Sequence, residues 1–516
     1  MKNTMKRPER QVAHKLVKLI YVSEPTLRFN YGQESVDPRD GIMLFGPYSQ
    51  DKIGGQINVG IIGPERQRSY LKEYLQRIHK PIYGTAEAAR PFFPGLEAAF
   101  GVFINFHGLK EIEVPASEIS EYLRYADPHQ RVYNLASLYT SRLEQYCAQE
   151  EMPVNVWFVI IPDEIFQLGR PRSRLTDSKD RVSVGLSKAD RRSKDLFLFD
   201  ELTELKAAYE FEVDFHNQVK ARLLGHRIVT QIVRESTIAY ETIWNNDDRI
   251  EYEKKFDTAK AWNIATTLYY KVGGLPWRLG NVRDGVCYVG LVYKKLFTDE
   301  TDRSACCAAQ LFLDSGDGLV FRGNIGPWFN PDTKEFHLAR NDAADLIHQS
   351  LKAFKENAPE KKFPSEVFIH AKTYFDDEEW AGFCDAAAGR TKLVGVRIRE
   401  DKAFKLYREF AYSVPRGTAL LIGTRKAFLW TKGFIPRIQT QLGLETPNPL
   451  EIKITRGDPD LVTVCADVLA LTKLNYNSCL YGDGIPVTLR FAERIGEVLT
   501  AGTEVVTGVL PFKHYV

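Results

Sequence analysis

Cysteine is scarce in this chain and badly spaced for metal. Seven are scattered through 516 residues, at Cys147, Cys287, Cys306, Cys307, Cys384, Cys465 and Cys479, with no CxxC and no Cys/His pair at ligand spacing. That excludes a zinc finger or ribbon and predicts reduced, buried thiols. Long apolar runs are missing too: no window approaches the roughly 20 apolar residues that cross a bilayer. Met1 to Arg10 is basic and polar with no apolar stretch behind it, so neither a membrane span nor a signal peptide is expected and the location expected is cytoplasmic. Net charge is nearly absent, 69 Lys and Arg against 67 Asp and Glu. A balance of +2 gives no general attraction to nucleic acid, so any such site must be a local groove. The glycines near Gly54 and Gly63 do not complete GxGxxG, and no internal repeat or low-complexity segment occurs.

What is present is core-forming material, 44% hydrophobic and 12% aromatic, enough chain for two or three cores. Gln56–Gly63 and Val154–Ile161 are short apolar runs that read as buried strands. Between them Tyr70, Leu71, Tyr74, Leu75 and Ile78 mark a helical face. Strands alternating with helices predict a parallel α/β layer. From Gly285 the pattern changes. Cys287–Phe297, Ala305–Leu313 and Gly318–Arg322 read as a meander, followed by a helix near 343–354, a strand at 366–372, a helix from Asp376 and a strand at 392–399. The stretch from Arg170 to Asp195 holds nine Lys/Arg against four Asp and no periodicity, the pattern of a solvated loop.

Two constellations carry chemistry. Ala261–Val272 is an amphipathic helix that stops at Gly273-Gly274 and Pro276, with Lys271 in its last turn. Lys271 either offsets the helix dipole or is a fixed cation facing a phosphate. Upstream, His216 and Lys220 are four apart on a predicted helix and so share a face. Gln231 follows on a predicted strand. Lysine, histidine and an amide together are donors suited to the oxygens of a phosphate monoester.

These segments resemble Argonautes. Ala261–Trp277 resembles the helix joining the MID and PIWI domains. Leu471–Asn477 and Pro486–Glu493 resemble PIWI motifs, and Asp37–Pro47 extends the likeness towards the N-terminus. The likeness is to short prokaryotic Argonautes, which lack the N and PAZ domains. It implies an α/β chain with a Rossmann-like MID domain to about residue 250 and a ribonuclease-H-like PIWI domain over 251–516. Carried over by position, the ligands of a guide 5′-phosphate are His216, Lys220, Gln231 and Lys271, with Asn263 on the same helix. The resemblance also implies guide-backbone contacts from Lys473, Asn475 and Arg490, and a magnesium ion shared between that phosphate and the carboxylate of Val516.

An active PIWI domain holds two metal ions on clustered carboxylates. At the matching positions this chain has Val292 and Lys372, and only Glu493 keeps an acid. The expectation is therefore a guide-binding protein without cleavage activity. The alternatives are a guided nuclease using a relocated set, Glu493 with the run Asp376–Glu379, and a guide-free single-strand binder. The resemblance further implies a guide RNA, a single-stranded DNA target, and a heterodimer with an APAZ-containing effector that oligomerises on target binding in prokaryotic defence. The Ala-Cys-Cys-Ala-Ala-Gln and Phe-Lys-His-Tyr-Val segments favour a TIR-APAZ partner over a sirtuin-like or nuclease effector.

Overall fold

The computed structural model describes residues 17–49, 53, 55–84, 90–149, 153–171, 173, 207–280, 283–295, 305–312, 318–322, 328–330, 335–357, 360–502 and 510–516. Most of the basic stretch 170–195 lies outside them. The chain begins with β1 (Val17–Tyr21) and then builds its first layer from β2 (Val59–Gly63), α1 (Glu65–Arg77), β3 (Lys110–Glu113), α2 (Pro128–Gln149), β4 (Val156–Ile161), α3 (Phe215–Leu224) and β5 (Thr230–Arg234). The strands form one all-parallel sheet in the order β3-β2-β4-β5. Every residue of β2 and β4 is buried, which is why both read as unbroken apolar runs: helices cover both faces of a parallel sheet. β2 has β3 on one side and β4 on the other, so the order reverses there. Open α/β sheets bind ligands at the carboxyl ends of the strands beside such a reversal.

Helix α4 (Asp257–Lys271) leaves this layer and enters the second. It is buried on more than one face, through Ala261, Trp262, Ala265, Thr266, Leu268 and Tyr269, because both units pack on it. A single apolar core runs through it, from Ile61 and Phe158 to Val396 and Leu489. Gly273, at φ +107°, adopts backbone that a side chain disfavours, and the Gly273 and Gly274 N–H groups bond back to Tyr270 and Tyr269 to close the helix.

The second layer contains β6 (Val286–Lys295), β7 (Ala305–Phe312), β8 (Gly318–Arg322), α5 (Arg340–Asn357), β9 (Glu366–Ala371), α6 (Asp377–Ala387), β10 (Lys392–Glu400), β11 (Thr418–Ile422), β12 (Lys426–Leu429), β13 (Leu450–Arg456), α7 (Leu461–Leu471), α8 (Val487–Leu499) and β14 (Leu510–Pro511). The ten-stranded sheet runs β1-β11-β12-β13-β10-β9-β6-β7-β8-β14. It holds the meander and the two following strands expected from the sequence, and the structure pairs β9 parallel to both β6 and β10.

The first strand departs from the expected division at residue 250. β1 pairs antiparallel with β11, Val17 opposite Ile422 and Tyr21 opposite Thr418, so the earliest described residues complete the second sheet. The β11–β13 ladder, unread in the sequence, gives β1 its place.

Helix α8 crosses β6 so closely that a Cβ on Gly290 would lie 1.9 Å from the Thr488 carbonyl oxygen. Backbone cannot yield as a side-chain tip does. Gly290→Ala is expected to destabilise the protein by about 1–3 kcal/mol or more, the usual range for overpacking. Thermal unfolding would read this as a lower midpoint, and an unchanged midpoint would contradict the close approach.

Candidate functional site: a buried lysine pair beside a cationic pocket

Helix α3 begins where Asp214 accepts the Asn217 N–H at 3.0 Å, a side-chain N-cap. The helix sets His216 and Lys220 one turn apart. Lys220 Nζ donates to the Thr230 carbonyl at 2.5 Å and to the main-chain oxygen of Val516 at 2.7 Å. Lys271 Nζ, arriving from the last turn of α4, donates to the same Thr230 carbonyl at 2.6 Å and to the same Val516 oxygen. Two ammonium groups from separate helices thus share two oxygens. Both lysines are almost fully buried.

Burial, reinforced by the neighbouring ammonium, drives Lys271 well below its ordinary pKa. Burial pushes Lys220 down to about 7. Desolvation penalises each charge, and two like charges side by side penalise each other. Each ammonium group has three N–H donors and bonds two oxygens here, so the pair has donors to offer an incoming anion. His216 is pushed down to about 3, by burial first and then by Lys220 and Arg494; it is a neutral ring at physiological pH, not a third cation.

Beside the pair lies a cavity of about 710 Å³ lined in part by His216, Asn217, Gln231, Arg170, Arg234 and Arg494. Ile161 and Arg234, at the carboxyl ends of β4 and β5, also border it. His216 and Gln231 therefore open onto the cavity, and Lys220 and Lys271 converge close to it. Asn263 does not join them: its Oδ1 accepts the Cys479 N–H at 2.8 Å, and the next residue, Ile264, lines the cavity.

Three cavity cations were absent from the sequence reading of the site. Arg170 and Arg234 both lie over the Phe166 ring, at 3.5 and 4.5 Å from its centroid. Arg494 comes from α8, more than 250 residues from α3 in sequence. Its neighbour Glu493 drew attention only as a metal position, and nothing in its spacing ties Arg494 to His216.

The Val516 oxygen at which magnesium is expected is shared by the Lys220 and Lys271 ammonium groups; Mg²⁺ takes one or two carboxylates beside phosphate oxygens and water.

Across the second layer, the degenerate positions do come together. Val292 and Lys372 each follow the last registered pair of β6 and β9, Leu291 with Ala371. Lys372 Nζ donates to Glu493 Oε2 of α8 at 2.8 Å. Glu493, the one acid expected at these positions, is thus paired with Lys372.

Three acids of the run beyond, Asp376, Asp377 and Glu379, have partners of their own. Asp376 caps α6 by accepting the Glu379 N–H at 2.7 Å, and Asp377 pairs with Arg456. Glu379 is fully buried and accepts from the Tyr293 hydroxyl and, at 3.3 Å, from the Leu338 N–H. Among the described residues no group of three or more His, Cys, Asp and Glu is arranged to hold a metal ion.

Of the expected guide-backbone residues, Lys473 faces inward and Asn475 and Arg490 are partly exposed. Lys473 has a side chain 0% exposed and pairs with Glu24 at 2.6 Å while donating to the Val36 carbonyl at 2.7 Å. Burial pushes it down to about 8. It is an internal tie, because β1 and the segment after it fold over it. Asn475 closes its own turn on Ser478 and Asp483. Arg490, partly exposed, pairs with Asp483 at 2.5 Å.

No protein-family model matches the chain, and no curated protein matches it in sequence. Solved structures do match. Clostridium butyricum Argonaute, bound to a guide DNA and a 19-mer target DNA, is 16% identical, with a TM-score of 0.61 over 97% of this chain and 55% of that one. The A. aeolicus Argonaute is 14% identical, at 0.53 over 95% and 54%. Aa-Ago with externally bound siRNA is 14% identical, at 0.55 over 97% and 56%. The chain spans about half the length of the structures it matches. Its parallel MID-like layer and its larger mixed sheet share the α/β fold of the MID and PIWI domains of Argonaute proteins.

Proposed function

We propose that this chain binds a guide strand by its 5′-phosphate and pairs it with a complementary strand without cutting that strand. The observation that carries the reading is the convergence of Lys220 and Lys271 on the same two oxygens beside a cavity edged by three arginines. A phosphate monoester carries about −1.5 to −2 charge at neutral pH. It adds countercharge to the buried pair and accepts several charge-assisted hydrogen bonds at once. His216 and Gln231 line the space where the first nucleotide would sit. Base pairing along the guide then supplies sequence recognition, which phosphate contacts cannot.

The second half of the reading rests on Lys372. A two-metal cut needs acids around both ions, and here the acid at Glu493 is neutralised by a lysine. The guide in this reading is RNA and the target single-stranded DNA. The chain acts as a sensor that activates a separate APAZ-containing effector, of the TIR type that consumes NAD⁺, in defence against plasmids or phage. The likeness of its sequence segments to short Argonautes supports this assignment.

Two measurements test it. A guide RNA with a 5′-phosphate is expected to bind at least about tenfold more tightly than the same strand with a 5′-hydroxyl, given about 1.5–3 kcal/mol for a single charged hydrogen bond. Equal affinities would remove the pocket assignment. Loaded protein given complementary DNA with Mg²⁺ or Mn²⁺ is expected to leave it intact. Metal-dependent products would restore the nuclease reading.

A further inference from the structure

A second cationic cavity, of about 400 Å³, opens beside the end of α5. Four cations line it, Lys352, Lys355, Lys361 and Arg390, against one acid, Glu356. Its apolar wall is Leu351 and Phe363. Leu351 belongs to the buried cluster that holds Cys287, Val289 and Leu291 of β6, and Phe363 packs against it.

Local backbone places the cations. Lys352, Lys355 and Glu356 fall three and four apart on α5 and so share a face. Ala388 and Gly389, at φ +47° and +69°, end α6 with two left-handed residues and turn the chain sharply before Arg390. The Arg390 guanidinium carbon then lies 4.9 Å from the Phe363 ring centroid, and Lys355 Nζ lies 4.8 Å from the same ring. Glu356 stands 4.0 Å from Lys352 and offsets that charge. Glu360, next to Lys361 in sequence, is taken by Lys362 at 2.7 Å. Among the described residues no ion pair joins Lys355, Lys361 or Arg390 to a carboxylate. Cations at helix C-termini offset the helix dipoles, which accounts for Lys355 and Arg390 one at a time. Lys361 is on neither helix, and it makes the cavity a gathering of like charge. A cleft lined by one sign of charge concentrates ions of the other, and phosphate oxygens suit lysine and arginine donors together.

This cavity is separate from the Lys220–Lys271 site. Alternate residues of β6 face opposite sides of the sheet. Cys287, Val289 and Leu291 pack with α5, whereas Tyr288 and Val292 belong to the core that includes Leu489 and Phe491 of α8. Helix α8 is the one that brings Arg494 to the other pocket.

We propose that the cavity beside α5 binds a small organic polyphosphate, its phosphates on Lys355, Lys361 and Arg390 and its carbon framework against Leu351 and Phe363. The volume falls within the roughly 300–1,000 Å³ of small-molecule sites, and a bare oxyanion has no use for the apolar wall.

Equilibrium binding of ADP to the full chain tests the site. Wild type is expected to bind it, more weakly as salt rises. Lys355 and Arg390 are exposed, so the Lys355→Gln, Arg390→Gln double variant should keep the wild-type unfolding midpoint. It should weaken ADP binding about tenfold or more. Pyrophosphate is expected to bind less tightly than ADP, and adenosine not to bind. A saturating 5′-phosphorylated strand should leave the ADP in place. Displacement of ADP by that strand would put the ligand in the Lys220–Lys271 pocket and overturn the assignment. No wild-type binding below about 1 mM, unchanged binding in the double variant, or adenosine binding as ADP does would overturn it as well. Displacement by a 5′-hydroxyl strand would make the cavity a contact for a nucleic-acid backbone and remove the small ligand.

Discussion

Exchanging both Lys220 and Lys271 for methionine is expected to abolish selective binding of a 5′-phosphorylated guide while leaving the protein folded. Each lysine offers a charge-assisted hydrogen bond of about 1.5–3 kcal/mol, so losing two removes roughly 3–6 kcal/mol, or on the order of 10²- to 10⁴-fold in affinity. Methionine is chosen because it keeps the stem's volume. The empty protein loses the donors to the Thr230 and Val516 oxygens, a cost of about 1–3 kcal/mol per buried acceptor, offset in part because two desolvated ammonium groups no longer repel each other. Equilibrium binding of strands differing only in the 5′ group, with thermal unfolding of the same samples, reads both halves. If the double variant still preferred the phosphate, the site would lie elsewhere. If the variant unfolded, the lysines would be structural ties and the loss of binding would carry no functional meaning.

The largest stability effect is expected at Arg416. Its side chain is 1% exposed and joins three parts of the second layer. Nε meets the Glu24 carboxylate at 3.0 Å, Nη2 donates to Thr472 Oγ1 at 2.7 Å, and Nη1 donates to the Thr431 carbonyl. Glu24 is also held by Lys473, so two cations from distant segments fix the chain just after β1. Truncation to alanine removes one cation and leaves Glu24 only partly compensated, Thr431 and Thr472 without their donor, and a cavity. Breaking such a buried pair costs about 3–5 kcal/mol. Arg416→Lys should recover only part of this, because an ammonium cannot reproduce the planar fork. Denaturant or thermal unfolding of the two variants beside wild type would show the order, alanine least stable. An Arg416→Ala midpoint equal to wild type would mean that the network adds nothing.

Lys473 shows how far a local reading reaches. Its motif marked it as charged and functional, and the fold made it an anchor for Glu24. No pattern within Leu471–Asn477 could reveal that, because Glu24 lies about 450 residues away in sequence. Asn263 sits on the expected helix, and the partner of its amide oxygen, the Cys479 N–H, lies more than 200 residues away in sequence. The helical placement of His216, Lys220 and Lys271 was legible because i,i+4 spacing and a sharp helix stop are local facts that survive folding.

The sequence by itself determined the elements. Continuous apolar runs fixed buried parallel strands, and the meander followed by two strand–helix alternations fixed the centre of the second sheet. Gly-Gly-x-Pro fixed where α4 ends and so where Lys271 points. These follow from side-chain periodicity and backbone sterics, which act over a few residues. Only the tertiary structure decided that β1 closes the far sheet, that Val516 and Thr230 hold both lysines, that Arg494 reaches the pocket from α8, and that Lys372 neutralises Glu493. Those are long-range pairings of charge and of unpaired backbone, chosen by which surfaces remain to be covered once the local elements have formed, and one chain read in order carries no signal for them.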